Sequence, residues 1–303
     1  MVDKKIEKLE VFIMKVYYEC GACYLRQARE ALDMSTDDDE LKLEIMEDII
    51  KFLAENYKKD ASSNATGSAM HEIIRTKTGC KDPYLEKKHL GNEMAQNLLP
   101  EVKEILKKDD SLENYVKISI VGNILDFGAF DLSVDIEKLL NEYLNKDLAI
   151  NDVKALDNAL KKHDNLLYLV DNTGEIVFDK LFLEKIKNDY NINITLAVKE
   201  SPVLNDACLE DAKDIGLNEF AELTTIGTNT VGVVYDKLSP TFKELFDKSE
   251  FIISKGMGNY EGLSELKFTN QDVFYLLCSK CNANALNLGV NTGDMVLSKV
   301  PKI

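Results

Sequence analysis

The stretch Leu166-Leu167-Tyr168-Leu169-Val170-Asp171-Asn172-Thr173-Gly174-Glu175 constrains this chain more than any other. Five apolar residues, branched or aromatic, run straight into an Asp-Asn pair, a glycine and a carboxylate. A short, bounded run of that kind reads as a buried parallel strand. The segment from Ile176 to Ile186 reads as a helix. Asp171 and Asn172 therefore fall at the carboxyl end of a strand, where open α/β sheets bind their ligands. A carboxylate beside an amide oxygen suits a hard cation such as Mg²⁺ or Mn²⁺. Glu175 lies within reach of whatever that cation holds. The same spacing also fits a plain Asp-Asn turn with Gly174 at positive φ.

From residue 166 onward the pattern alternates. Strand-like runs are expected at 166–171, 192–199, 221–226, 251–254 and 273–277, with helical or loop segments between them. Such alternation means parallel crossover units and a three-layer α/β/α sheet. Before it, residues 4–33 carry apolar positions at helical spacing, and so do 41–53, 69–78 and 84–108. The polar stretch 60–69 reads as a loop. Gly79 is suited to end one helix and Pro83 to open the next. Nothing in the first 110 residues reads as a strand. Residues 1–110 are expected to form a helical subdomain and 111–303 the α/β/α domain. For 111–130 a helix is preferred, which would put Asn123 and Asp126 on one face. Helices over 135–143 and 152–162 bracket a short extended piece.

The net charge of −16 argues against a general nucleic-acid partner and against anionic membrane surfaces. It leaves room for a phosphorylated small molecule in a locally basic site. No apolar run reaches the ~18 residues of a membrane span, and the N-terminus lacks the apolar block of a signal peptide. A cytoplasmic protein is expected. Its six cysteines would then be thiols. Two C-x-x-C pairs, Cys20/Cys23 and Cys278/Cys281, would make a four-thiolate zinc site thinkable. Each pair lies in a helical or strand-like apolar pattern, however, which favours small core residues. No glycine-rich dinucleotide or nucleoside triphosphate loop follows a strand.

Parallel strands bring their ends to one edge. That edge would gather Asp171, Asn172 and Glu175, the loop from Glu200 to Ala207, the segment Lys255-Gly256-Met257-Gly258-Asn259-Tyr260-Glu261, and Ser279-Lys280. Carboxylates for a cation beside lysines for an anion are the parts of metal-assisted phosphoryl chemistry. Gly256 and Gly258 would let backbone N–H groups approach a phosphate.

Asp171-Asn172-Thr173-Gly174-Glu175, the Lys255 to Glu261 segment and Gly122-Asn123-x-x-Asp126 together resemble the metal-dependent damage-control phosphatases, first catalogued as domain of unknown function number 89. The resemblance covers nearly the whole chain, including Asp82-Pro83-Tyr84. Cys20-x-x-Cys23 is similar to the mark of the family's stand-alone microbial subgroup. Cys278-Ser279 stands where some eukaryotic members carry Arg-Thr. The resemblance implies a Rossmann-like α/β/α domain with a helical subdomain. It also implies a cation (Mn²⁺, Mg²⁺, Co²⁺ or Ni²⁺) on Asp171, Asn172 and a later Asp, best matched by Asp206. Met257 to Glu261 and Lys280 would hold the phosphorylated substrate, with Lys255, Gly256, Asn123 and Asp126 as further candidates.

The activity so implied is hydrolysis of small phosphorylated metabolites such as sugar phosphates. Catalysis would fall to Asp171, Asn172, Asp206, Glu175 and Lys280. Water made acidic by the cation is preferred over Asp171 as nucleophile, with Glu175 or Asp206 to orient it. A carboxyl methyltransferase using S-adenosylmethionine and a non-catalytic metal- or metabolite-binding protein are the alternatives.

Overall fold

In a computed structural model the structure describes residues 13–124 and 136–302. Three helices come first: α1 (Cys20–Ser35), α2 (Asp39–Asn56) and α3 (Ser63–Thr78). Then follow α4 (Leu85–Lys108), α5 (Leu112–Ile124), α6 (Ile136–Leu144), β1 (Ile150–Asn151) and α7 (Val153–Lys162). The alternating part is β2 (Asn165–Leu169), α8 (Glu175–Asp189), β3 (Asn193–Val198), α9 (Leu209–Asp214), β4 (Glu222–Thr225), α10 (Pro240–Lys248) and β5 (Phe251–Lys255). It closes with α11 (Gly256–Leu263), β6 (Asp272–Cys278), α12 (Asn282–Leu288) and β7 (Met295–Lys299).

The seven strands form one sheet in the order β1-β7-β6-β5-β2-β3-β4. All neighbouring pairs are parallel except β6 with β7. Alternation along each strand sorts side chains onto two faces. Leu166 and Tyr168 join Val177 and Phe182 of α8 and Val102 and Leu106 of α4 in one core. Leu167 and Leu169 join Phe242 and Phe246 of α10 and Leu263 of α11 in the other. A third core, Ala28, Leu32, Ile45, Ile49, Met70 and Ile74, holds α1 to α3 together with Tyr84. The chain runs outward from β2 to β3 and β4, then returns to start β5 on the other side of β2. The carboxyl ends of β2 and β5 thus flank a topological switch point, the crevice where such sheets bind ligands.

The α/β/α class with a mainly parallel sheet stands, with three local corrections. The helix expected from residue 4 begins only at Cys20 within the described residues. Met14 instead reaches the second sheet core, its N–H donating to Ser264 Oγ at 3.1 Å. The stretch read as a loop is largely the first turns of α3, which pack against α1 through Tyr24, whose hydroxyl donates to Ser63 C=O at 2.9 Å. A Cβ on Gly67 would stand 3.5 Å from the Tyr24 ring. The antiparallel strand β7 was not anticipated. No described helix is long and apolar enough to cross a membrane.

His71 of α3 is buried, its Nε2 3.4 Å from Gln27 Oε1. Burial, reinforced by the charge of Arg75, pushes its pKa down to about 4. In the unfolded chain an imidazole titrates near ~6.5. The folded state therefore binds fewer protons between those values. This contribution to stability is complete above about pH 6.5 and is lost as pH falls towards 4. Such a shift corresponds to about 3 kcal/mol. In urea unfolding at neutral pH and near pH 4.5, His71→Gln should lose about 2 kcal/mol less on acidification than the wild type. Equal losses would show that the ring is not held neutral.

Candidate active site

The loop after β2 and the loop after β3 are stitched into one small antiparallel piece. Asn172 pairs with Asp206 in a bridge, Ala207 N–H donates to Asp171 C=O at 2.9 Å, and Thr173 N–H donates to Asn205 C=O at 2.9 Å. This stitching, absent from any linear motif, brings Asp171 and Asp206 together. Beside them Leu204 holds φ 48°, a left-handed conformation uncommon for a side chain of that size. Asp171 Oδ2 accepts the amide N–H groups of Asn123 at 2.8 Å and Asn172 at 3.0 Å. Gly256 packs against the same carboxylate with φ 76°, and a Cβ there would fall 1.8 Å from Asp171 Oδ2. Asn259 clasps the two strand ends, donating to Val170 C=O and Lys255 C=O, each at 2.9 Å.

A cavity of about 270 Å³ opens over this edge, roofed by α1 and α3. Asn123, Asp171, Asn172, Asp206, Met257, Gly258, Glu261 and Lys280 line it. Five anticipated residues are not in its lining, Gly256 among them, since it packs behind Asp171. Lys255 is wholly buried and donates to Asp179 Oδ1 at 2.8 Å, to Ser119 C=O at 3.1 Å and to Glu175. It is a counter-ion beneath the site and not a phosphate ligand. Glu175 is equally buried, tied to Lys255 and to Asn123 Nδ2 at 2.7 Å, so it positions Asn123 and does not face the cavity. Asn259 is the clasp just described, and Tyr260 turns its hydroxyl to Asn287. Asp126 lies outside the described residues.

The family model of the damage-control phosphatase ARMT1-like domain matches residues 16–296. The chain belongs to that family. A damage-control phosphatase of Pyrococcus horikoshii is 37% identical over 283 residues, 93% of this chain and 97% of its own length. One of Archaeoglobus fulgidus is 33% identical over 292 residues, 95% of this chain and 100% of its own. An uncharacterised protein of Methanocaldococcus jannaschii is 36% identical over 292 residues, covering 94% and 96%. The crystal structure of a DUF89 family protein from P. horikoshii superposes with a TM-score of 0.85 at 36% identity, covering 94% of this chain and 99% of that one.

In this member of the damage-control phosphatase family the electrostatics of the edge are unusual. Burial raises the pKa of Asp171, and the neighbouring Asp206 adds to the rise. Burial also raises Asp206, against the pull of Lys199. Burial raises Glu175 too, against Lys255. Lys199, buried and unforeseen, stands 3.4 Å from Asp206 Oδ2 and donates to Gly232 C=O at 2.8 Å. Yet Asp206 Oδ2 has no hydrogen-bond partner among the described residues. The edge thus holds more negative charge than it neutralises.

A divalent cation fits that deficit. Among the described residues no three of His, Cys, Asp and Glu form a ready ligand cluster. The donor set is instead two carboxylates, Asp171 and Asp206, with the amide of Asn172, all oxygen donors of the kind Mg²⁺ or Mn²⁺ takes. The sulfur groups are arranged differently. Cys20, Cys23 and Cys281 line the cavity, while Cys278 is buried in β6. Sequence reasoning also missed the roof residues Glu19, Tyr24, Gln27, Ser63 and Asn64. Asn64 Nδ2 donates to Gly258 C=O at 2.7 Å, tying α3 to α11. The Asp82-Pro83-Tyr84 segment has a structural role, since Asp82 shares the buried Lys88 with Asp211, at 3.3 and 2.9 Å.

The one available signal for the fate of Lys255 was Glu175 and Asp179, four apart on an otherwise apolar helix face. Lys255→Met leaves both carboxylates buried without their cation. Urea unfolding should show a loss of roughly 3–5 kcal/mol. A change below about 0.5 kcal/mol, the size expected for a solvated lysine, would return Lys255 to the phosphate side.

Proposed function

We propose that this chain is a metal-dependent phosphatase of small phosphorylated metabolites. The observation that carries the reading is the pair Asp171 and Asp206, set at two strand ends, under-neutralised, and facing one cavity together with Lys280. Asp171, Asp206 and the carbonyl oxygen of Asn172 would hold the cation. When bound, it supplies charge to offset a phosphoryl oxygen and lowers the pKa of water.

The remaining work belongs to the chain. Lys280, exposed at the end of β6, meets the other phosphate oxygens as a point charge. Its backbone N–H donates to Met257 Sδ at 3.1 Å, which fixes the lysine's root against the first turn of α11. Asp206, which lines the cavity beside Asp171, would take the proton of the attacking water. Asn123 orients Asp171 and is itself oriented by Glu175. Helices α1 and α3 cover part of the edge, and the interactions they shield from water gain strength. The small cavity agrees with a small substrate, since ligand pockets commonly run to ~300–1,000 Å³.

Phosphate release from a panel of sugar phosphates should depend on added Mn²⁺, Mg²⁺, Co²⁺ or Ni²⁺ and vanish with a chelator. Asp171→Asn and Asp206→Asn should abolish it while leaving the fold intact. Either variant working at the wild-type rate would remove that residue from the site. Lys280→Ala should lower turnover by about 10²–10³, as the loss of one electrostatic donor does. Turnover within a few-fold of wild type would mean that the phosphate is held elsewhere.

A further inference from the structure

The cavity is electrically lopsided. Among its described lining residues Lys280 is the one lysine or arginine, whereas Asp171, Asp206, Glu261 and Glu19 all contribute carboxylates. The first two would belong to the cation and Lys280 to the phosphate, which leaves no positive charge among the described lining residues for the rest of a substrate. Helix α11 fixes the distance between the two ends. It starts at Gly256 against Asp171, and Glu261 lies five residues further on, about 7.5 Å along the axis. Glu261 accepts Asn284 Nδ2 at 2.8 Å and is hydrogen-bonded by the Ser63 side chain as well, burial raises its pKa above the ordinary carboxylate value, and no ammonium or guanidinium pairs with it among the described residues. Ser63 and Gln27 of the roof line the same cavity, the first bonded to Glu261 and Tyr24 and the second to Cys23 and His71.

A neutral polyol would find acceptors and donors there. A second phosphate or a carboxylate would be placed beside a carboxylate that has no cationic partner among the described residues, the arrangement by which proteins reject a wrong partner. We infer that Glu261 is a specificity-determining residue, which admits phosphomonoesters with a neutral or cationic alcohol portion and turns away those bearing a second anion. This rests on the phosphatase reading above, and it gives Glu261 a task different from holding phosphate.

Glycerol 3-phosphate and 3-phosphoglycerate are close in shape and differ chiefly in a hydroxymethyl against a carboxylate, so they isolate the charge. The wild-type enzyme with Mn²⁺ should favour glycerol 3-phosphate in kcat/KM by more than about tenfold. Glu261→Gln keeps the hydrogen bond from Asn284 and should narrow the ratio to a few-fold, mainly through a lower KM for 3-phosphoglycerate. Glu261→Lys should reverse it. A ratio unchanged in Glu261→Gln, or a wild type that hydrolyses both equally, overturns the inference and leaves the phosphatase intact. Hydrolysis of no phosphomonoester with any of the four cations overturns the phosphatase reading and this inference with it.

Discussion

Carboxylates placed out of water at the end of a parallel strand govern this molecule. An unpaired buried charge costs several kcal/mol even after relaxation, so each one demands a partner. The partners are graded. Glu175 and Asp179 share an ammonium, Lys255, inside the protein. Asp206 has Lys199 at a distance and without hydrogen-bond geometry. Asp171 has two amide groups. Of these four carboxylates, neutralisation weakens from the core towards the cavity, and the two less compensated ones, Asp171 and Asp206, are the two that line it. A fold that neutralised them fully would have nothing left to offer a cation.

The surrounding elements keep that arrangement from collapsing. Asn259 bonds both strand-end carbonyls, so the crevice between β2 and β5 has a fixed width. Gly256 admits the Asp171 carboxylate where any side chain would expel it. Asn123 of α5 joins Asp171 to Glu175, which couples the cavity to the buried Lys255 below. Helices α1 to α3 are attached to the edge at separate points, among them Asn64 to Gly258 and Ser68 to the Val231 N–H at 2.8 Å. They have a core of their own.

The sheet could be read from the chain because buried parallel strands are compact apolar runs, and 166–170, 251–254 and 273–277 have that form. Asp171 and Asn172 were legible for the same reason, since a strand's end is a position in the sequence. Asp206 was reached only through resemblance, because its place depends on pairing between two loops. Lys255 shows the limit most sharply. It ends an apolar strand just as Lys280 does, yet one ammonium turns inward to two acids of α8 while the other stands at the cavity. Strand periodicity gives a residue's face but not what waits on that face. The start of α3 and the start of the first predicted helix failed differently. Small polar residues resemble a loop until a partner helix is near, and Met14 is drawn from helix to sheet by burial.

The central claim concerns where a cation sits. A crystal grown or soaked with Mn²⁺ and recorded at wavelengths where manganese scatters anomalously tests it most directly. One strong peak should lie between the carboxylates of Asp171 and Asp206 and the carbonyl oxygen of Asn172, and it should disappear in Asp206→Asn. A peak at the thiols of Cys20, Cys23 and Cys281 with none at Asp171, or a peak that survives in Asp206→Asn, would contradict the account.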